Sequence, residues 1–87
     1  MNDVISLDQL KEGERGVLYA YRGDSEAHLR LKEMGLVRGV SILVKRFAPL
    51  GDPMELVVRG FHLSLRKKDA AHILVSREEK DITPRLR

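Results

Sequence analysis

The segment "VSILVKRFAPLGDPMELVVRGFHLSLRK", residues 40–67, decides the fold of this 87-residue chain. Three of its runs, "VSILVKRF", "MELVVRG" and "HLSLRK", show the period of two that is typical of β-strands. In the last run Leu63 and Leu65 point to one side, and His62, Ser64 and Arg66 point to the other. Gly60 lies between the last two runs and predicts a hairpin. The segment therefore predicts three consecutive strands.

Two further strands are predicted outside this segment. "GVLYAY", which begins at Gly16, is apolar on both faces, as expected of a strand in a small barrel. Tyr19 and Tyr21 share a face with Val17, which favours a place in the core over a place in a peptide-binding groove. The run "ILVS" follows a helical turn, "KKDAAH", and is the last predicted strand.

From Asp24 the apolar period changes to that of a helix. Ala27, Leu31 and Met34 fall at i, i+4 and i+7 and are predicted to form the buried stripe of this helix. Leu29 falls off the stripe and is predicted to be exposed. Asp24 or the serine after it can cap the first turn.

The helix also carries its own stop signal. Gly35 can adopt the left-handed conformation, and Leu36 can then fold back onto Leu31 in a Schellman ending. The predicted architecture is thus mainly β: a small, partly open SH3-like barrel of about five strands, with one short α-helix inserted after the first strand. Residues 1–76 form this domain, and 77–87 are predicted to be a charged, disordered C-terminal tail.

Composition excludes several classes of function. The chain has no cysteine, which excludes disulfides, thiolate metal sites and thiol nucleophiles and fits a reducing compartment. It has no apolar run of signal-peptide or membrane-spanning length, so a cytoplasmic location is predicted. The net charge of +3 comes from interleaved signs, and the longest basic run is only 66–68, which argues against nucleic acid as a partner.

Catalytic and metal-binding motifs are absent from the sequence as well. No P-loop or nucleophile elbow occurs, so no enzyme activity and no cofactor are predicted. The three histidines, His28, His62 and His72, have no metal-ligand spacing and are predicted to be solvated. Asp52, Glu55 and His62 could meet across a hairpin and are the weak candidates for a metal site.

The turn "APLGDP", residues 48–53, is unusual because it carries an apolar residue between two prolines. Pro49 and Pro53 each fix their own φ and extend the residue before them, which predicts a rigid corner. Pro49 and Gly51 suit the second and fourth positions of a type I turn, which leaves Leu50 at the third position without a stereochemical reason.

Two interpretations of Leu50 remain open. A core this small needs every apolar side chain, which favours Leu50 packing back under the barrel. Alternatively, Leu50 is presented to a partner between Arg46 and Asp52, at little ordering cost. Presented leucines also pair with one another, so the second interpretation predicts self-association.

The order of these motifs resembles the FeoA family of small cytoplasmic proteins of bacterial ferrous iron uptake. The resemblance runs from about Leu7 to Val75 and couples "RLKEMGL" and the following "RG" to "RFAPLGDP" and then to "RGFHLSLRKKDAAHILV". The chain lacks a helix-turn-helix segment and so resembles the free-standing form. The resemblance implies an SH3-like fold and an accessory role to FeoB, the membrane iron transporter with a cytoplasmic GTP-hydrolysing portion.

The predicted function is therefore a non-enzymatic interaction module that docks on the cytoplasmic part of FeoB and meets the membrane only through that transporter. The leading alternative is a regulator of transport or transcription that binds Fe²⁺ directly, and a small nucleic-acid-binding barrel is the third. The predicted partner-contact residues are Arg46, Pro49, Leu50, Asp52 and Pro53, with Leu29 on the helix as a second contact.

Overall fold

The computed structural model describes residues 3–77. Within that range it contains the strands β1 (Val4–Ser6), β2 (Arg15–Tyr21), β3 (Ser41–Phe47), β4 (Met54–Val58), β5 (Phe61–Leu65) and β6 (Ile73–Arg77). A 3-10 turn (Leu7–Gln9) follows β1, the helix α1 (Glu26–Glu33) follows β2, and the one-turn helix α2 (Lys67–Ala70) follows β5. The prediction of about five strands therefore missed β1, and α1 follows the second strand rather than the first.

The six strands form one antiparallel sheet in the order β1-β6-β2-β3-β4-β5. No pairing joins β1 to β5 among the described residues, so the barrel is partly open, as predicted. The predicted β4–β5 hairpin is confirmed. Val58 pairs with Phe61, and the turn residues Arg59 and Gly60 have positive φ values of 52° and 88°, as a two-residue type I′ turn requires.

The core lies inside the curled sheet and is closed by the 3-10 turn and by the end of α1. Its strand residues alternate with less buried residues on the outer face, most regularly in β4, where every second residue is buried. The largest fully buried side chains are Leu7, Leu10, Leu18, Leu36, Ile42, Val44, Met54, Leu56, Val58, Ile73 and Val75. One small apolar core thus holds the whole described chain, which leaves only its surface for a partner.

Both ends of α1 follow the local sequence signals. The Ser25 hydroxyl accepts a hydrogen bond from the backbone N–H of His28 at 3.2 Å, which is the expected N-cap. At the other end Gly35 has a φ of +104°, and the backbone N–H of Leu36 donates to the carbonyl of Leu31 at 3.0 Å. This is the predicted Schellman ending, and it buries Leu36 completely.

The predicted buried stripe of α1 is wrong in two of its three positions. Leu31 is buried, but Ala27 is exposed and Met34 is 45% exposed. The second buried residue is His28, because its ring packs against the Tyr21 ring of β2, with 4.8 Å between ring centroids. A helix of only two turns touches the sheet with few residues, so the position of one aromatic partner decides which face is buried.

The predicted placement of both tyrosines on one buried face is also wrong. The β2–β6 register shifts between Leu18 and Ala20, so Tyr19 lies at an irregularity of the strand and is 46% exposed. Tyr21 packs against the core, and its hydroxyl donates a 2.6 Å hydrogen bond to the carbonyl of Leu36. Tyr21 therefore ties β2 to the segment that follows α1.

Two further findings concern the C-terminal limit of the domain and the question of membrane-spanning helices. Strand β6 includes Arg77, one residue beyond the predicted domain end at residue 76, and the rest of the predicted tail, 78–87, lies outside the described residues. Among residues 3–77, no helix is long and apolar enough to cross a membrane.

Candidate docking corner

Residues 48–53, which join β3 to β4, form a closed loop that we call the docking corner. The backbone N–H of Gly51 donates to the carbonyl of Ala48 at 2.7 Å, which closes the predicted four-residue turn. The backbone N–H of Ala48 donates to the carbonyl of Pro53 at 3.0 Å and so closes the base of the loop. Gly51 has a φ of +92°, a conformation that residues with a side chain rarely adopt.

The docking corner is also anchored to α2. The Asp52 carboxylate accepts a hydrogen bond from the backbone N–H of Lys67 at 2.9 Å, at the first residue of that helix. The Lys67 ammonium in turn lies 4.8 Å from the centroid of the Phe47 ring, at the end of β3. The loop is therefore held both by its own hydrogen bonds and by the neighbouring helix.

Leu50 is 97% exposed at the tip of this anchored loop. The interpretation that it packs back under the barrel is wrong, because the turn directs its side chain into solvent while the core is filled by other residues. Leu50 is also the most exposed of the large apolar side chains among the described residues. A loop that is already ordered would lose little conformational freedom if its exposed leucine were buried against another surface.

Charged groups border the docking corner at the β3–β4 ladder. The Arg46 guanidinium donates a 2.8 Å hydrogen bond to the Glu55 carboxylate, and these side chains are 62% and 34% exposed. This hydrogen bond and the charge of Glu55 raise the pKa of Arg46. The register shift between Val44 and Arg46 makes Arg46 pair with Glu55.

The structure gathers five of the six predicted contact residues at the docking corner and its border: Arg46, Pro49, Leu50, Asp52 and Pro53. The sixth, Leu29, lies on α1 and is 57% exposed, as its position off the predicted stripe suggested. Leu29 belongs to a different element and would form a separate contact.

Two of the three weak metal candidates are engaged by other residues. Asp52 accepts the hydrogen bond from Lys67, Glu55 pairs with Arg46, and His62 lies opposite Val57 in the hairpin. No group of three or more histidine, aspartate or glutamate side chains able to hold a metal occurs within residues 3–77. The described geometry therefore adds nothing in favour of the Fe²⁺-binding alternative.

A cluster of aromatic and basic side chains between β2 and α1 was not predicted. His28 is only 6% exposed, contrary to the prediction that all three histidines are solvated, and its ring centroid lies 6.1 Å from that of His72. Nδ1 of His28 lies 3.3 Å from the Gly23 carbonyl, and the Lys32 ammonium lies 5.0 Å from the Tyr21 ring centroid. The one local signal in the sequence for this buried face of α1 was the i, i+3 spacing of His28 and Leu31, which places both side chains on the same side of a helix.

Comparison with known proteins agrees with this fold. The family model of the FeoA domain matches residues 5–77. The solved structure of an FeoA-like protein from Clostridium acetobutylicum is 34% identical, with a TM-score of 0.83 over 92% of this chain and 93% of that one. The zinc-complexed FeoA of Stenotrophomonas maltophilia, described as a prokaryotic SH3 domain protein, is 23% identical, with a TM-score of 0.75 over 86% and 96% of the two chains.

A curated relative carries the same domain within a much larger protein. The Fe(2+) transport protein A/Fe(2+) transporter FeoB fusion protein of Porphyromonas gingivalis is 38% identical over 69 residues. The match covers 79% of this chain but only 8% of the fusion protein.

Proposed function

The chain belongs to the FeoA domain family, and we propose that it is a non-enzymatic accessory module of bacterial ferrous iron uptake. In this proposal it works in the cytoplasm and docks on the cytoplasmic part of an FeoB-type transporter through the docking corner. The fusion protein of Porphyromonas gingivalis supports association with such a transporter, because it joins the two components in one chain.

The observation that carries the proposal is the 97% exposure of Leu50 on a loop that is already ordered. Three hydrogen bonds hold this loop, two within the docking corner and one from α2. Binding would therefore order few groups, and burial of the leucine would contribute about 1.5–3 kcal/mol to affinity. The partner surface that fits is an apolar pocket.

The charged side chains that border the docking corner would orient the partner. Arg46 is exposed, Glu55 is partly exposed, and the two are paired with each other, so a partner would need to complement both signs beside the apolar pocket. Leu29, 57% exposed on α1, is the proposed second contact.

Calorimetric titration of the full chain with the cytoplasmic fragment of its cognate transporter tests the proposal. Leu50→Asp is expected to abolish binding while its thermal melt stays at the wild-type value, because Leu50 makes no core contact. Val37→Asp, which places the same charge on another exposed apolar residue outside the docking corner, is the matched control and is expected to bind.

Leu29→Asp tests the second contact in the same titration. A loss of binding with Leu29→Asp but not with Leu50→Asp would move the interface to α1. Normal binding by both variants would refute docking through either contact.

A further inference from the structure

Strand β5 exposes unpaired backbone groups along one edge of the sheet. It is the last strand in the sheet order, and among the described residues it pairs only with β4. Val58 and Phe61 flank the two-residue turn and therefore exchange both of their hydrogen bonds. The alternation along an antiparallel pair then points the N–H and C=O groups of His62 and Ser64 away from β4. No other described element hydrogen-bonds to these groups.

This edge lacks the features that usually prevent edge-to-edge pairing. Such features are lysine or other charged side chains, proline, a bulge or a very short strand. The sequence of β5 is "FHLSL", with no proline and no lysine, arginine or acidic residue, and its register with β4 is regular. Phe61 and Leu63 are only half-buried, so apolar surface accompanies the free backbone groups.

We propose that two copies of the chain associate by antiparallel pairing of their β5 strands around a twofold axis at Leu63. In this register His62 of each copy lies opposite Ser64 of the other, and each of these pairs exchanges both of its hydrogen bonds. Leu63 lies opposite Leu63 of the second copy, and Phe61 lies opposite Leu65. The two sheets become one continuous sheet.

A second copy of the chain fits the β5 edge because this edge is complementary to itself. The twofold register pairs both outward-facing residues and places apolar side chains opposite apolar ones, and within β5 no like charges are opposed. Just beyond the strand, Arg66 falls opposite Gly60, which has no side chain to oppose it. This association uses β5 and not the docking corner, so it does not depend on the proposed function.

Sedimentation equilibrium of the full chain over a range of concentrations, with Ser64→Pro and Ser64→Ala, tests the pairing. Proline at residue 64 removes an N–H that does not hydrogen-bond to β4. The monomer is therefore expected to keep its fold and its wild-type melting temperature. The dimer dissociation constant of Ser64→Pro is expected to rise about tenfold or more, because the symmetric contact loses a hydrogen bond at both His62–Ser64 pairs. Ser64→Ala retains the N–H and is expected to dimerise as wild type does.

Single cysteines test the register, because the chain has none of its own. Directly opposed residues lie with Cβ atoms about 4.5–5.5 Å apart, close to disulfide range. Leu63→Cys is therefore expected to crosslink two copies under mild oxidation. His62→Cys, which lies opposite Ser64 instead of its own counterpart, is expected to crosslink poorly, and Leu50→Cys reports association through the docking corner instead.

Three outcomes would overturn the proposal. The chain could remain monomeric up to about 1 mM, or crosslink through Leu50→Cys but not through Leu63→Cys. Alternatively, a monomeric chain could lose affinity for the transporter fragment on Ser64→Pro, which would assign the β5 edge to another protein. Concentration-dependent dimers that are weakened by Ser64→Pro and crosslinked by Leu63→Cys support it.

Discussion

Ionisation of Tyr21 should make the stability of the fold depend on pH in the alkaline range. Burial raises the pKa of Tyr21 to about 12, compared with 10.0 for a free tyrosine. Below pH 10 the phenol is neutral in both the folded and the unfolded chain. Between pH 10 and 12 only the unfolded chain ionises, so the free energy of unfolding should fall as the pH rises through this window.

The size of this effect follows from the pKa shift. A shift of one pKa unit corresponds to about 1.36 kcal/mol, so the full shift would give roughly 2.7 kcal/mol. Because Tyr21 is only partly buried, solvent screening reduces the expected loss to about 1–2 kcal/mol. Tyr21→Phe should remove this pH dependence and also weaken the fold by about 0.5–1.5 kcal/mol near neutral pH, since the hydrogen bond to Leu36 is lost.

Urea denaturation from about pH 8 to about pH 12 would measure these differences. Tyr19→Phe is the matched control, because Tyr19 is 46% exposed and is the only other tyrosine in the chain. Comparison of variants removes the contributions of lysines and arginines, which all variants share. If Tyr21→Phe loses as much stability between pH 10 and 12 as wild type does, the assignment of this dependence to Tyr21 is refuted.

Three further predictions concern single side chains. Gly16→Ala should destabilise the fold by about 1–3 kcal/mol in urea denaturation, since the new Cβ would lie 2.9 Å from a Val75 methyl group. An unchanged denaturation midpoint would contradict this close approach. Ser25→Ala should cost about 1 kcal/mol in the same assay, because the N–H of His28 loses its cap, whereas Ser25→Gly should cost only a few tenths. Leu50→Ala should change the free energy of unfolding by no more than about 0.5 kcal/mol. It should nevertheless weaken the affinity for the transporter fragment, measured by calorimetry, about tenfold to a hundredfold. A clear drop in the melting temperature would show that Leu50 supports the fold.

Several elements were predictable because their causes are local. The ends of α1 depend on Ser25 and Gly35, which act on backbone groups within one turn of the chain. The β4–β5 hairpin depends on Gly60 and the alternation on either side of it. The rigid docking corner likewise follows from Pro49 and Pro53 within residues 48–53.

The candidate site was predictable in position but not in orientation. The sequence singled out Leu50, but the size of the core favoured burying it, and that interpretation is wrong. Whether an apolar side chain on a turn reaches the core depends on where the other core residues lie and on the hydrogen bond from Lys67 to Asp52. Both are contacts between segments far apart in the chain.

By itself the sequence determined the order of most elements, the signals that start and stop the helix, the hairpin and the resemblance to the FeoA family, because each depends on neighbouring residues or on a motif. Only the tertiary structure decided that His28 rather than Met34 is buried, that Tyr19 faces solvent and that Leu50 stands 97% exposed. These outcomes depend on how α1 packs against β2, on the register shift between β2 and β6, and on how the docking corner is held by α2. Packing of this kind depends on three-dimensional distances, which the spacing of residues along a chain does not contain.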